Sequence, residues 1–414
     1  MGKKLIFLTM SREPANINSR GIYPDLLRKF RDEGFEVYIV KPHERSLGKP
    51  TELREGNEVQ ILGVKTLNLQ KTTAIEKGIG QVLVESQYKS AIKKYFKDVQ
   101  FDLILYSTPP ITFPKVIAYL KNQNPKAITY LLLKDIFPQN AVDLGMISKN
   151  GVKGLLYKFF RTKERRMYEL SDYIGCMSPA NVEYLLKHNP EVSKERVEVA
   201  PNSIELCHTE ITESEERAKR NTERGYMRYK FHLPTDKPVF IYGGNLGKPQ
   251  GIPFLVDCLE ASSGREDCHF LVIGTGTELS RLTQWYEDKR PNNVTIMKGL
   301  PKADYDMLVR SCDVGLIFLD HRFTIPNYPS RLLSYLENKM PVICATDINT
   351  DIGKIAEENG YGYWCESVNP NDFTALVDKM MASDMKVMGE RGYEFLKKNY
   401  LVEHTYNAIM KHLK

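Results

Sequence analysis

The 414-residue sequence has no apolar run approaching the ~20 residues that cross a bilayer, and its mean hydropathy is −0.39. No membrane-spanning helix is expected. Its seven cysteines, at positions 176, 207, 258, 268, 312, 344 and 365, include no C-x-x-C pair. An odd, scattered set argues against a disulfide framework and a zinc site and points to a reducing compartment. None of the eight histidines sits at metal-ligand spacing from another. Neither G-x-S-x-G nor G-x-x-x-x-G-K-[ST] occurs, so the hydrolase elbow and the P-loop are absent. Charge of one sign is also scarce in excess: 58 Lys+Arg stand against 52 Asp+Glu, a net +6. That permits an anionic partner without calling for nucleic acid. Leu5-Ile-Phe-Leu8 is too short for a signal peptide and is broken by Ser11-Arg-Glu-Pro14, so a cytoplasmic location is expected.

What is present is ordinary globular composition, 42% hydrophobic and 27% charged, at a length that suits two domains. Short apolar runs alternate with amphipathic stretches. Lys4–Thr9, Glu36–Val40, Phe101–Tyr106, Ala127–Leu133, Tyr173–Met177 and Val197–Ala200 read as strands of a first parallel sheet. Around Glu210–Lys230 the chain turns charged with almost no apolar stripe, which reads as a linker with a solvated helix. The pattern restarts at Pro238–Tyr242, Cys268–Ile273, Val294–Met297, Asp313–Phe318 and Pro341–Cys344. The expected organisation is an N-terminal doubly wound α/β domain over 1–205, a linker over 206–236, a second over 237–394, and a C-terminal helix within 395–414 that packs back on the first.

In such sheets ligands sit beyond the carboxyl ends of the strands. Three loops of the second domain qualify. Gly243-Gly-Asn-Leu-Gly-Lys-Pro-Gln-Gly251 brings Gly244, Asn245 and Lys248 to one edge, where glycine lets backbone approach an anion. Gly274-Thr-Gly276 opens a second turn, but Leu279 replaces the third glycine of a dinucleotide fingerprint, which disfavours NAD. Asn327-Tyr-Pro-Ser-Arg331 leads into a helix, so Tyr328, Ser330 and Arg331 are candidates for an anionic ligand. A first-turn arginine opposes the helix dipole, a conflict that a bound anion would relieve; the plainer alternative is a surface arginine. In the first domain, Lys134 and Asp135 follow a buried strand directly, either facing a cleft or simply leaving the strand with Asp135 as a cap.

The segments Lys134-Asp-Ile-Phe-Pro138, Glu164 through Asp172 with Ser178, Val199-Ala-Pro-Asn-Ser-Ile-Glu205, Tyr242 through Gly251 and Asn327–Val342 resemble, in order, five motifs of the retaining GT-B glycosyltransferases of bacterial capsule, O-antigen and exopolysaccharide assembly. The resemblance implies two Rossmann-like doubly wound domains facing a cleft. It implies a hexosyltransferase-type enzyme that moves a sugar, with retention, from a nucleotide diphosphate donor, UDP foremost, to a glycan or polyprenyl-diphosphate-linked acceptor. No cofactor beyond that co-substrate and no metal is expected. Catalysis would fall to Asp135 with Lys134, and acceptor contacts to Arg12, Asn18 and Gly21. Donor contacts would fall to Gly244, Asn245, Lys248, Gly274, Gly276, Lys298, Tyr328, Ser330, Arg331 and Glu337. The sequence departs from the motif at Pro326 and Ser334, where many members carry a glutamate pair. Glu337 either replaces the second carboxylate or is an ordinary helix residue. A GT-B-type nucleotide-sugar epimerase and a non-catalytic sugar-nucleotide-binding scaffold remain as alternatives.

Within 153–166, Leu155, Leu156, Phe159 and Phe160 form an apolar stripe flanked by Lys153, Lys158, Arg161, Lys163, Arg165 and Arg166. Such a helix either packs on its sheet or lies in a bilayer interface. With the resemblance, the second reading implies peripheral attachment to the inner leaflet of the plasma membrane.

Overall fold

The computed structural model describes residues 2–11, 16–56, 58–69, 74–206 and 213–413. The chain divides into two compact units, Met1–Glu205 with Tyr400–Lys414, and Leu206–Asn399. The first is built on strands β1 (Lys4–Leu8), β2 (Glu36–Glu44), β3 (Glu52–Arg54), β4 (Val59–Thr66), β5 (Leu103–Ser107), β6 (Ile128–Leu133), β7 (Tyr173–Cys176) and β8 (Val197–Val199). They lie in the order β3-β4-β2-β1-β5-β6-β7-β8, parallel throughout except for the β3–β4 pair. The second unit carries β9 (Val239–Asn245), β10 (His269–Thr275), β11 (Val294–Lys298), β12 (Val314–Phe318), β13 (Val342–Thr346) and β14 (Gly362–Glu366), ordered β11-β10-β9-β12-β13-β14 and all parallel.

The apolar runs are continuous because helices cover both faces of each sheet. Leu5, Ile6, Phe7 and Leu8 are all buried, as are Val239 through Tyr242. Each sheet has one place where the strand order reverses, between β1 and β5 in the first unit and between β9 and β12 in the second. Loops leaving neighbouring strands there diverge to opposite faces and open a crevice at the carboxyl edge.

Strands β3, β4 and β14 were not legible in the sequence. In β4 the apolar run is interrupted by Gly63, ordinarily a sign of a bulge. Here it is needed because the His43 ring lies against it: a Cβ would meet the ring at 2.1 Å. The charged stretch read as a linker belongs instead to the second unit. Its helix, Glu213–Lys230, buries Met227 and Arg228. The Arg228 guanidinium donates to the carbonyls of Ser311 (2.9 Å), Pro234 (2.7 Å) and Lys237 (3.1 Å) and to Asp313 (2.6 Å). A buried arginine with its donors satisfied does the anchoring that an apolar stripe would have announced. The helix Met385–Asn399 stays with the second unit, and the chain rejoins the first at Tyr400. Its last helix, Val402–Met410, places Tyr406 against Phe30 at 4.9 Å between centroids, and the Thr405 hydroxyl donates to the Pro201 carbonyl at 2.9 Å.

Candidate functional site

In the second unit, β9 runs through Gly243 and Gly244 to Asn245, level with Thr275 at the end of β10, while Lys298 ends β11 beside Gly274. The loop is locked by its own side chains. Gln250 Oε1 accepts from Asn245 Nδ2 (2.8 Å) and the Gly247 N–H (3.2 Å), and Tyr242 donates to the Asn245 carbonyl at 2.8 Å. Gly274 and Gly276 stand where the two loops touch. A Cβ on Gly274 would lie 1.8 Å from the Gly244 carbonyl oxygen, and one on Gly276 would lie 2.2 Å from that of Leu246. These glycines let the two loops touch, which fixes the shape of the edge. Gly244 itself has φ +128° and is exposed, with Asn245 and Lys248 exposed beside it.

Arg331 opens the helix Arg331–Glu337 on the β12 side of the same switch point. It is not a surface arginine. Its guanidinium carbon lies 4.3 Å from the centre of the Tyr242 ring, and a Cβ on Gly244 would meet its Nη2 at 3.4 Å. Nη1 is buried and has no hydrogen-bond partner, and no carboxylate is within ion-pair reach among the described residues. The surrounding groups are phenols. Tyr335, one turn along the helix, accepts from the Gly243 N–H at 3.2 Å and donates to the Ile241 carbonyl at 3.1 Å. Tyr305 lies against Gly243. Burial pushes the Tyr305 phenol up to about 12 and raises those of Tyr242 and Tyr335 as well. All three are neutral at pH 7, so the cation is met by the face of the Tyr242 ring rather than by a counter-charge. A guanidinium nitrogen buried without a partner beneath a glycine loop is a donor that an anionic oxygen can satisfy.

The other donor-side candidates are less uniform. Tyr328 is buried, Ser330 exposed, and Asn327 donates its N–H to Thr350 Oγ1 at 3.0 Å, pinning the loop after β12. Glu337 ends the seven-residue helix, about 9 Å along its axis from Arg331 and on a different stripe. Asp304 and Asp306, a D-x-D pair, lie in the helix Lys302–Arg310 and face Lys230 (3.6 Å) and Lys302 (2.5 Å). Among the described residues no three His, Cys, Asp or Glu side chains converge as a metal site.

In the first unit, Lys134 and Asp135 follow β6 at the carboxyl edge. The Thr108 hydroxyl, on the loop after β5, accepts from both of their N–H groups at 2.8 and 3.0 Å. Burial pushes the Asp135 carboxyl up to about 6, and Asn140 Nδ2 donates to both of its oxygens at 2.8 and 3.0 Å. Burial lowers the Lys134 ammonium to about 7, and it donates to the Ala200 carbonyl at 3.1 Å. Two ionisable groups are thus held where both protonation states are accessible near neutrality, as general acid–base chemistry requires. The Asp135 carboxyl also accepts from the Ile136 N–H in the turn that follows, and from no backbone N–H of the helix Gln139–Asp143 among the described residues.

Arg12 lies outside the described residues. Asn18 Oδ1 accepts from Arg31 at 3.3 Å, and Gly21 forms the N-cap of the helix Ile22–Asp32, its N–H bonded to Asp25 at 3.1 Å. On the helix Gly151–Leu170, Val152, Leu155, Leu156 and Phe159 are exposed rather than packed on the sheet, while Phe160 is half-buried against Phe137. Four of its cations are committed internally: Arg161 to Glu164 at 2.6 Å, Lys163 to Glu85 at 2.8 Å, Arg165 to Glu191 at 2.7 Å and Arg166 to Glu169 at 2.8 Å. Lys153 and Lys158 remain exposed.

Residues 224–395 match the family model of the glycosyl transferases group 1. The Probable glycosyltransferase WbjE of Pseudomonas aeruginosa is 22% identical over 402 residues, 95% of this chain and 94% of its own. Among solved structures, the sucrose-phosphate synthase of Thermosynechococcus elongatus superposes with a TM-score of 0.74 at 14% identity, covering 99% of this chain and 98% of that one. HepE of Anabaena in complex with UDP gives 0.65 at 12% identity, covering 99% of each. The two parallel-sheet, Rossmann-like units are those of the GT-B fold. The protein is a glycosyltransferase.

Proposed function

We propose that this enzyme transfers a hexose, with retention and without a metal, from a UDP-sugar to a glycan or polyprenyl-diphosphate-linked acceptor in surface polysaccharide synthesis. The observation that carries the reading is Arg331, a half-buried arginine whose buried Nη1 has no hydrogen-bond partner, set against the glycine loop of β9. Its planar fork matches a diphosphate. UDP as the nucleotide is drawn from the HepE complex, and the polysaccharide acceptor from the order of the five sequence motifs. Leaving-group charge would rest on Arg331 with Lys248 and Lys298, both exposed on the same sheet edge. Asp135 would orient or deprotonate the acceptor hydroxyl. The test is UDP release from UDP-glucose and other UDP-sugars with and without lipid-linked acceptors, in the presence of EDTA. Acceptor-dependent release supports the transferase. Donor turnover without acceptor indicates the epimerase, binding without turnover indicates the scaffold, and rescue by Mg²⁺ defeats metal independence.

Attachment to the inner leaflet belongs to the same reading. The exposed Val152, Leu155, Leu156 and Phe159, with Lys153 and Lys158 beside them, form the kind of face that lies in a bilayer interface. Wild type is expected to co-sediment with anionic liposomes at low salt, each basic residue adding about 1 kcal/mol. Lys153→Glu with Lys158→Glu should release it without disturbing the Arg161 and Lys163 ion pairs. Failure of wild type to bind at low ionic strength would assign a soluble acceptor.

A further inference from the structure

The side-chain amide of Asn140 hydrogen-bonds to a single group among the described residues. Both of its contacts with the described residues go from Nδ2 to the two oxygens of Asp135, at 2.8 and 3.0 Å. Its Oδ1 is buried and has no hydrogen-bond partner. The reverse orientation would set Oδ1 against two carboxylate oxygens, so the amide direction follows from the charge it faces. Asn140 lies in the short helix Gln139–Asp143, five residues beyond Asp135, while Thr108 holds the Asp135 N–H from the neighbouring strand end. Backbone and carboxyl of Asp135 are therefore each fixed by a separate element.

We propose that Asn140 is the positioning residue of Asp135: the hydrogen bond that its Nδ2 shares between both oxygens holds the carboxylate in the ionised form that receives the acceptor hydroxyl. The inference rests on the acceptor-side role of Asp135 stated above. The charged groups around Asp135 leave this duty to a neutral amide. On its own segment, Lys134 directs its ammonium to the Ala200 carbonyl. In the following helix, Asp143 accepts from Gln139 at 2.6 Å. From the helix Gly151–Leu170, Glu164 is held by Arg161 at 2.6 Å and by the Tyr168 hydroxyl at 2.7 Å. On β7, the Cys176 thiol is buried and its ionisation pushed up to about 12, so it stays neutral. Burial raises the carboxyl toward 6, and the Asn140 bonds, with the Ile136 N–H after them, oppose that rise. Removing them favours the protonated form.

The experiment is the pH titration of the Asp135 carboxyl in the full chain without substrate, read from the ¹³Cγ signal of aspartate-labelled protein and assigned by its loss in Asp135→Asn. In Asn140→Ala the midpoint is expected to move up by about one pH unit, a tenfold weaker acid. Asn140→Ser keeps one donor and should shift it by less, which also provides a reading if the alanine variant folds poorly. An unchanged midpoint in a folded variant overturns the proposal. A companion assay of UDP-glucose turnover separates the two readings. If Asp135→Asn turns over normally while the midpoint still shifts, the catalytic role of Asp135 fails and the Asn140 contact is only electrostatic. If Asp135→Asn is inactive and the midpoint does not move, Asn140 alone is wrongly assigned.

Discussion

Asp135→Asn is expected to lower kcat by about 10²–10⁴, the range over which a positioned acid–base group contributes, while leaving UDP affinity essentially unchanged. The asparagine keeps the shape of the side chain and the two Thr108 bonds to the backbone, so the loss is chemical. The same substitution is expected to make the protein more stable at neutral pH. A carboxyl held near 6 instead of its ordinary 3.8 binds its proton more tightly in the fold than in the unfolded chain. Its stabilising contribution is present below pH 3.8 and is lost as pH rises through 6. Keeping Asp135 ionised at pH 7 therefore costs on the order of 3 kcal/mol. Asparagine carries no such cost, so the thermal midpoint of the variant should exceed that of wild type at pH 7, and the gap should close toward pH 4. In wild type, turnover should rise as pH increases through about 6. Normal turnover in Asp135→Asn would reduce the residue to a turn element.

Much of this arrangement was legible in the sequence because it is local. A buried parallel strand followed at once by two charges, as at Leu131 through Asp135, is conspicuous in one dimension, and so is a loop with glycines at 243, 244, 247 and 251. The rest comes from strands that are neighbours only in space. Thr108 serves a backbone 26 residues away, and Tyr305 reaches Gly243 from another helix. Only Tyr335, four residues after Arg331 on the same helix, carried a periodic signal. Nor do motif residues all belong to the chemistry. Glu164 is buried as the acceptor of Arg161 and Tyr168, and the Ser178 hydroxyl caps the helix Pro179–His188 by accepting from the Asn181 N–H at 3.4 Å. Composition misjudged the stretch around Arg228 because a long basic side chain can anchor a helix as firmly as a leucine once its donors are met.

Arg331→Met should abolish most of the stabilisation that UDP confers while leaving the unliganded protein folded. Methionine fills much of the space over Tyr242 without introducing a charge, so the comparison isolates the guanidinium. A charged hydrogen bond to phosphate is worth about 1.5–3 kcal/mol, and losing it weakens binding by about ten- to a hundredfold. At a nucleotide concentration of about 100 Kd the wild-type fold gains about 2.7 kcal/mol, and a site weakened a hundredfold gains only about 0.4 kcal/mol at the same concentration. The thermal shift with UDP should shrink accordingly. Without ligand the change should be small, because Arg331→Met loses the guanidinium's contact with the Tyr242 ring but also removes a buried nitrogen that has no hydrogen-bond partner, so the melting temperature should stay close to that of wild type. Arg331→Lys keeps the charge but loses both the planar fork and the ring contact, and should fall between the two. If Arg331→Met instead melts well below wild type and its UDP-induced shift is undiminished, the arginine is a structural cation stacked on Tyr242 and the diphosphate is held elsewhere on the edge, with Lys248 and Lys298 the next residues to change.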